Sequence, residues 1–368
     1  MAKLVEFCKI NMGQSPDSSS YNDIGKGMPF FQGNADFGNV HPKVRVWCDA
    51  PTKIAHPNDI LISVRAPIGA LNIANIECCI GRGLASLTAD KNKCHQKYLW
   101  YALESKVDEL NSKGTGSTFK AISKSVLFDT EIPLPSLDGQ KEISDIFDRI
   151  TSLIADRKQQ LKDLENLVKS RFIELFGEVE TNIKGFPMKR MDECCKFIGG
   201  AQPDKSHFEY EKTDENIRLI QIRDYKSDRF ITYIPKSLAK KTCTSSDIMI
   251  GRYGPPIFQI LGGIEGAYNV ALMKAIPTDE FNVEYFRCFL KNEKLLRYLE
   301  SFSQRTAGQD GIQIDKLNAY PCFVPPIDLQ NEFATFVEQT DKLKFDNLTW
   351  LVKVQRFLYN TSCLGVCL

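Results

Sequence analysis

The sequence predicts an α+β protein built from two pseudo-repeated globular domains joined by two long antiparallel coiled-coil helices. Three observations carry that prediction. Short signatures recur at a nearly constant offset of about 188 residues. Each copy ends in the same Pro, Asp, Gln, Glu signature, "LPSLDGQKEIS" (Leu134 to Ser144) and "VPPIDLQNEFA" (Val324 to Ala334). Each signature opens a long charged segment whose apolar residues return every three or four positions.

The repeat is the strongest signal. "DILISVR" (Asp59 to Arg65) is echoed by "DIMIGR" (Asp247 to Arg252), "YLWYAL" (Tyr98 to Leu103) by "YFRCFL" (Tyr285 to Leu290), and "GSTFKAISKSVL" (Gly116 to Leu127) by "TAGQDGIQIDKL" (Thr306 to Leu317). The offset drifts from 187 to 190, as loop insertions between shared elements produce. Each copy opens with turns and short strands, "GMPFFQG" and "RVWCD" in the first, "IRLIQIRDY" and "RFITYIP" in the second. A buried strand follows at 60–64 or 248–250, then a Gly-containing return, a helix, a Gly-containing loop and a short Pro-bounded strand.

The signature reads as a strand-to-helix joint. Pro135 and Pro325 end the extended segment. Asp138 and Asp328 are N-cap candidates, and Glu142 and Glu332 fall where a negative charge complements the helix dipole. Beyond the first joint, Ile143, Ile150, Leu153, Leu161 and Leu164 lie on one predicted seam; Leu343, Leu351 and Val354 continue it in the second copy. At 1.5 Å per residue the first helix runs roughly 55 Å. Over Gln140–Phe176 its seven basic and seven acidic residues cancel, so its outer faces read as solvated. The second helix is expected to stop near Tyr359. Equivalent modules issuing matched helices imply antiparallel pairing.

With 368 residues, 43% of them hydrophobic and 25% charged, the chain is long enough for two cores. The twelve cysteines form no C-x-x-C pair and the four histidines no H-x(3–5)-H pair, so no metal site is expected and the thiols read as small hydrophobes. There is no secretory leader and no apolar run of membrane-spanning length, which implies a cytoplasmic protein without a membrane partner. The overall charge is only +1, but residues 1–99 carry +3 and residues 184–275 carry +4, which fits two phosphate-facing surfaces on a neutral to acidic scaffold.

At these residues the chain resembles the specificity subunit of type I restriction-modification systems. "IPLPSLDGQKEI" and the following "DRITSLIADRKQQLKDLENLVKSRFIELFGE" carry the likeness, with "GQSPDSSSYN", "MPFFQGNADFG", "DILISVRAPIG" and "CIGRGLASL" in the first module. The second module, with "AQPDKSHFEY" and "GRYGPPIF", departs further from the family pattern. The resemblance implies a first target-recognition domain over 1–137, a first spacer helix over 138–177, a second target-recognition domain over 178–327, and a second spacer helix with a tail over 328–368. It further implies that each domain reads one half of a split, asymmetric sequence in double-stranded DNA. The helices would set the gap and dock methyltransferase and restriction (motor) subunits. S-adenosylmethionine, ATP and Mg would then be bound by the partners and not by this chain.

Candidate DNA contacts follow from loop position and side-chain chemistry. They are Gln14, Ser15, Gln32, Arg65 and Arg82 in the first module, and Gln202, Arg223, Arg252, Tyr253 and Asn269 in the second. Arg engages guanine, and Gln or Asn engages adenine, through paired hydrogen bonds. Lys113, Lys120 and Arg305 sit in the paired Gly-containing loops and read as phosphate contacts. No catalytic residue is assigned. "RYGPPIF" has Gly254 where an amino-methyltransferase motif needs an Asn, and neither a dinucleotide-type Gly loop nor a Walker-type phosphate loop is present. A self-contained DNA methyltransferase or restriction enzyme, and a silent specificity cassette, are the alternative readings.

Overall fold

The computed structural model describes every residue except 117–119, 255, 303–310 and 365–368, with the backbone alone at 359–364. It divides into two compact units. One comprises Met1–Gln159 and the segment from Leu348; the other is Gln160–Asn347.

In the first unit an antiparallel sheet orders strands Cys8–Met12, Leu84–Ala89, Ile60–Ser63 and Leu71–Ile73. "ILIS" is apolar at nearly every position because both of its faces are covered. Ile60 and Ile62 pack with Leu87, Tyr98 and Leu99, whereas Leu61 points the other way, to Phe31, Ile80 and Leu84. A second sheet orders Tyr21–Asn22, Trp47–Cys48, Met28–Phe31, Cys78–Ile80 and Ile54–Ala55. Helices Gln96–Glu104, Val107–Ser112 and Lys124–Phe128 complete the module.

The second unit repeats this plan. Its antiparallel sheet runs Cys195–Gly199, Leu272–Pro277, Ile248–Gly251 and Gln259–Leu261, and its second sheet runs Tyr233–Pro235, Asn216–Ile220, Gly266–Tyr268 and Thr242–Cys243. Register is conserved between the copies: Ile60 faces Leu87, and Ile248 faces Ala275. Helices Val283–Leu290, Glu293–Phe302 and Ile314–Ala319 follow. The two-faced burial also repeats, with Ile248 and Ile250 in one core and Met249 in another with Ile220, Tyr268 and Leu272.

The joint is organised by the glutamine of the signature. Gln140 is fully buried; its Nε2 donates to the carbonyls of Lys93 and Pro135 at 2.9 Å, and its Oε1 accepts from His95 N. Gln330 does the same with Glu280, Pro325 and Asn282. One side chain thereby ties the first turn of each long helix to the start of helix Gln96–Glu104 or Val283–Leu290. Asp138 and Asp328 are not the caps. The first long helix spans Leu137–Phe176, and Ser136 Oγ accepts from Gly139 N; the second spans Ile327–Leu364. Both aspartates therefore sit within the first turn, where they still complement the dipole. The second helix also continues past Tyr359 to Leu364, because neither Gly nor Pro interrupts it before Gly365.

The helices pair antiparallel. In the first unit the Arg157 guanidinium lies over the Trp350 ring at 5.6 Å. In the second unit Arg171 bridges to Glu332 at 2.8 Å and Phe172 meets Phe333 edge-on at 5.4 Å. Within that second unit Phe176 also meets Phe333, while Val168 and Glu165 line one cavity with Val337 and Asp341, so rising numbers on one helix meet falling numbers on the other. Leu351 is buried, and Ile150, Leu161, Leu164 and Val354 are half-buried at seam spacing. Ile143 packs instead against the first module's core. Leu153 and Leu343, placed on the seam by spacing, are 49% and 55% exposed and lie off it. Two seam positions are polar: Thr340 and Asn347 are buried and donate to the carbonyls of Phe336 and Leu343.

Candidate nucleic-acid interface

In the first module Gln32, Arg65 and Arg82 line one open cleft of about 550 Å³, together with Asp36, Arg45 and Ser63. Glycines create it. Gly81 and Gly83 flank Arg82, and a Cβ on either would press into the backbone of Gln32, so the two loops approach closely and Arg82 stands out into solvent. Arg82 N donates to Ser15 Oγ at 3.2 Å, which makes Ser15 part of the frame. Ser63 Oγ donates to Arg65 O at 2.7 Å and holds the next loop. Asp36 accepts from Gln32 N at 2.8 Å and pairs with Arg45 at 2.5 Å. Among the described residues, the Arg65 and Arg82 guanidinium groups have no carboxylate or carbonyl partner. Two exposed cations beside an amide, in a concave site, can engage phosphates or base edges.

Gln14 is exposed beside this region, its carbonyl taken by Thr52 Oγ1. Lys113 is bound to Glu109 at 2.6 Å, whereas Lys120 is exposed without an ion pair among the described residues. Arg305 lies outside the described residues.

The second module turns its own candidate arginines and amides onto its backbone. Backbone hydrogen bonds correct the alignment by one residue. Ile122 N donates to Val64 O and Ile312 N to Arg252 O, so Arg252 stands where Val64 does, and Tyr253 where Arg65 does. Arg252 Nη1 donates to Val270 O at 3.3 Å, its guanidinium covers the Tyr253 ring at 5.3 Å, and its buried Nε finds no acceptor among the described residues. Asn269 Oδ1 accepts from Ala271 N and Gln202 Nε2 donates to Pro203 O. Arg223 Nη2 donates to Phe230 O and Thr232 Oγ1. Phe230 is 59% exposed, with the guanidinium groups of Arg223 and Arg229 at 6.0 and 5.2 Å from its ring centre. Such an aromatic–arginine cluster suits base stacking.

Sequence reasoning missed Arg45, Asp36, Asp224 and Phe230. Asp224 accepts from Gln221 N as Asp36 does from Gln32 N. The shared glutamine-then-aspartate order in "FFQGNAD" and "LIQIRD" was the available signal. Burial pushes the Asp224 carboxyl above its ordinary range, opposed by that backbone hydrogen bond and by Arg218 and Arg223. Among the described residues no cluster of His, Cys, Asp or Glu could hold a metal ion, and no helix is long and apolar enough to cross a membrane.

Residues 1–166 match the family model described as the type I restriction modification DNA specificity domain. A putative type I restriction enzyme MjaX specificity subunit from Methanocaldococcus jannaschii is 43% identical over 45% of this chain and 39% of its own. The crystal structure of an HsdS subunit from Thermoanaerobacter tengcongensis is 47% identical over 43% of this chain and 38% of that one, with a TM-score of 0.40. The aligned part therefore spans about two-fifths of each of those proteins. The type I restriction-modification S subunit from M. genitalium is only 16% identical but covers 98% of this chain and 94% of its own at a TM-score of 0.59, which extends the shared fold to both modules. Residues 1–166 are thus similar to the type I restriction modification DNA specificity domain, and the duplicated fold along the chain is similar to that of the M. genitalium S subunit.

Proposed function

We propose that this chain is the DNA-recognition subunit of a type I restriction-modification complex. Each module reads one half of a bipartite, asymmetric target in double-stranded DNA, and the helix pair sets the gap and docks methyltransferase and restriction subunits. The observation that supports this best is the combination of one repeated frame with unlike side chains at its open loops. Arg65 and Arg82 on one frame answer to Tyr253 and Val270 on the other, so the half-sites differ. S-adenosylmethionine, ATP and Mg belong to the partners, and methyl transfer and cleavage are theirs. Gln14, Gln32, Arg65 and Arg82 are the first module's proposed contacts; Gln202, Arg223, Arg252, Tyr253, Asn269 and Phe230 are those of the second. Lys113, Lys120 and Arg305 are proposed to meet phosphates, and Leu153 and Leu343 to face partner subunits.

Exchanging residues 178–327 for the corresponding module of a relative and selecting bound sequences from a random DNA pool tests the reading. One half-site changes while the other half-site and the gap persist. Loss of both half-sites, or change in neither, overturns it.

A further inference from the structure

The second module holds a cavity of about 580 Å³, enclosed by helices Val283–Leu290 and Glu293–Phe302 and the long-helix segments of the same unit. Its apolar floor includes Val168, Phe172, Cys288 and Val337. Phe172 continues downward into an aromatic cluster with Phe176, Tyr285 and Phe333.

The internal repeat shows what fills the equivalent space in the other copy. Tyr101 occupies the position of Cys288, and Phe147 that of Val337. In the first module the Tyr101 ring stacks on Phe147 with centroids 5.0 Å apart and 23° between planes. Its hydroxyl donates to Asp148 Oδ1 at 2.7 Å, and Lys97 holds the second carboxylate oxygen. The second module substitutes a thiol and a short branched side chain for two rings. Burial raises the Cys288 thiol to about 11, so it is a neutral contact surface.

Charge at the cavity wall narrows the ligand. Most lining cations are held by carboxylates, as Lys169 is by Glu293 at 3.1 Å and Arg287 by Glu284 at 3.1 Å. Lys291 and Glu165 line the same cavity without an ion pair among the described residues, and the cavity's lining carries six cations against five carboxylates, a net positive charge. The volume falls in the range of small-molecule sites, roughly 300–1,000 Å³.

We propose that this cavity binds a small organic monoanion carrying one aromatic ring, the ring taking the space that Tyr101 and Phe147 fill in the first module and the carboxylate facing Lys291. Ring stacking on Phe172 and burial of the ring supply affinity, and the ammonium supplies selectivity for the anion. The inference is independent of DNA reading.

Titrating the full chain with 3-phenylpropionate, and with 3-phenylpropanamide as the neutral counterpart, tests it. The carboxylate raises Tm by about 2–4 °C at saturation and binds more tightly than the amide. Lys291→Met weakens the carboxylate about fivefold and leaves the amide unchanged. Cys288→Tyr with Val337→Phe rebuilds the first module's ring pair and abolishes binding of both probes; Val337→Phe alone serves if the double variant does not fold. Failure of the carboxylate to bind the wild-type chain, equal binding of the amide, or unchanged binding to the filled variant overturns the proposal.

Discussion

The two strand-to-helix joints and the two candidate DNA-facing edges contrast sharply. At the joints, Gln140 and Gln330 make the same three hydrogen bonds to equivalent backbone groups, although two of the three residues supplying those groups differ. At the edges, the first module leaves the Arg65 and Arg82 guanidinium groups open in a cleft, whereas the second folds Arg252 onto Val270 O and Tyr253. A buried polar side chain bonded to backbone tolerates almost no variation, because any partner left unpaired costs its desolvation. A solvated loop side chain carries no such penalty. Duplication followed by divergence thus preserves the geometry of the joint and frees the chemistry of the edge.

The largest expected effect lies at the joint. Gln140→Ala and Gln330→Ala each leave buried backbone groups unpaired and destabilise their module by about 3–5 kcal/mol, measured by urea denaturation. Nearly equal losses sharpen the comparison; a neutral substitution at either site breaks it.

At the edge, Arg82→Ala and Arg65→Ala each lower DNA affinity by roughly 10- to 100-fold at fixed salt without changing the melting temperature. Arg252→Ala shifts melting as well, because it removes the hydrogen bond to Val270 O. Identical behaviour of Arg82 and Arg252 in paired binding and melting measurements would erase the distinction drawn between the edges.

A smaller contrast lies along the first long helix. Leu161→Asp puts a charge at a half-buried seam position and costs about 2–3 kcal/mol, whereas Leu153→Asp, on an exposed position, stays within about 0.5 kcal/mol. On the proposed reading, assembly with the methyltransferase subunit, followed by size-exclusion chromatography, is nevertheless lost with Leu153→Asp.

The smallest effect is a pH dependence of opposite sign in the two modules. Burial opposes ionisation of Asp148, but hydrogen bonds from Lys97 and Tyr101 outweigh it and hold its pKa below the ordinary value. Its contribution is therefore present above the unfolded pKa and lost as pH falls through the folded one. Asp224 has a raised pKa, so its contribution is present below the unfolded value and lost as pH rises through the folded one. Melting curves between pH 3 and 7, values that bracket the ordinary carboxylate range, check both signs. Asp148→Asn reduces the loss of stability on acidification, and Asp224→Asn raises stability near neutrality.

The duplication, the α+β order and the two helices were legible in the chain because they rest on local pattern: matched signatures at one offset, apolar steps of three and four, and long stretches without breakers. The candidate edge was legible only in part. Gly81 and Gly83 around Arg82 marked a close loop approach, but whether an arginine stays open or folds back depends on a carbonyl distant in sequence, as Val270 O is from Arg252. The helix seam shows the same limit. Spacing placed Leu153 and Leu343 on it, whereas packing buried Thr340 and Asn347 there instead.

The Pro, Asp, Gln, Glu signature marks where this division falls. By itself the sequence determined that each module ends in a strand-to-helix joint and that the joint is used twice. Only the tertiary structure decided that the glutamine holds it, because the three backbone groups Gln140 satisfies are contributed by Lys93, His95 and Pro135, which folding alone brings within reach of one amide.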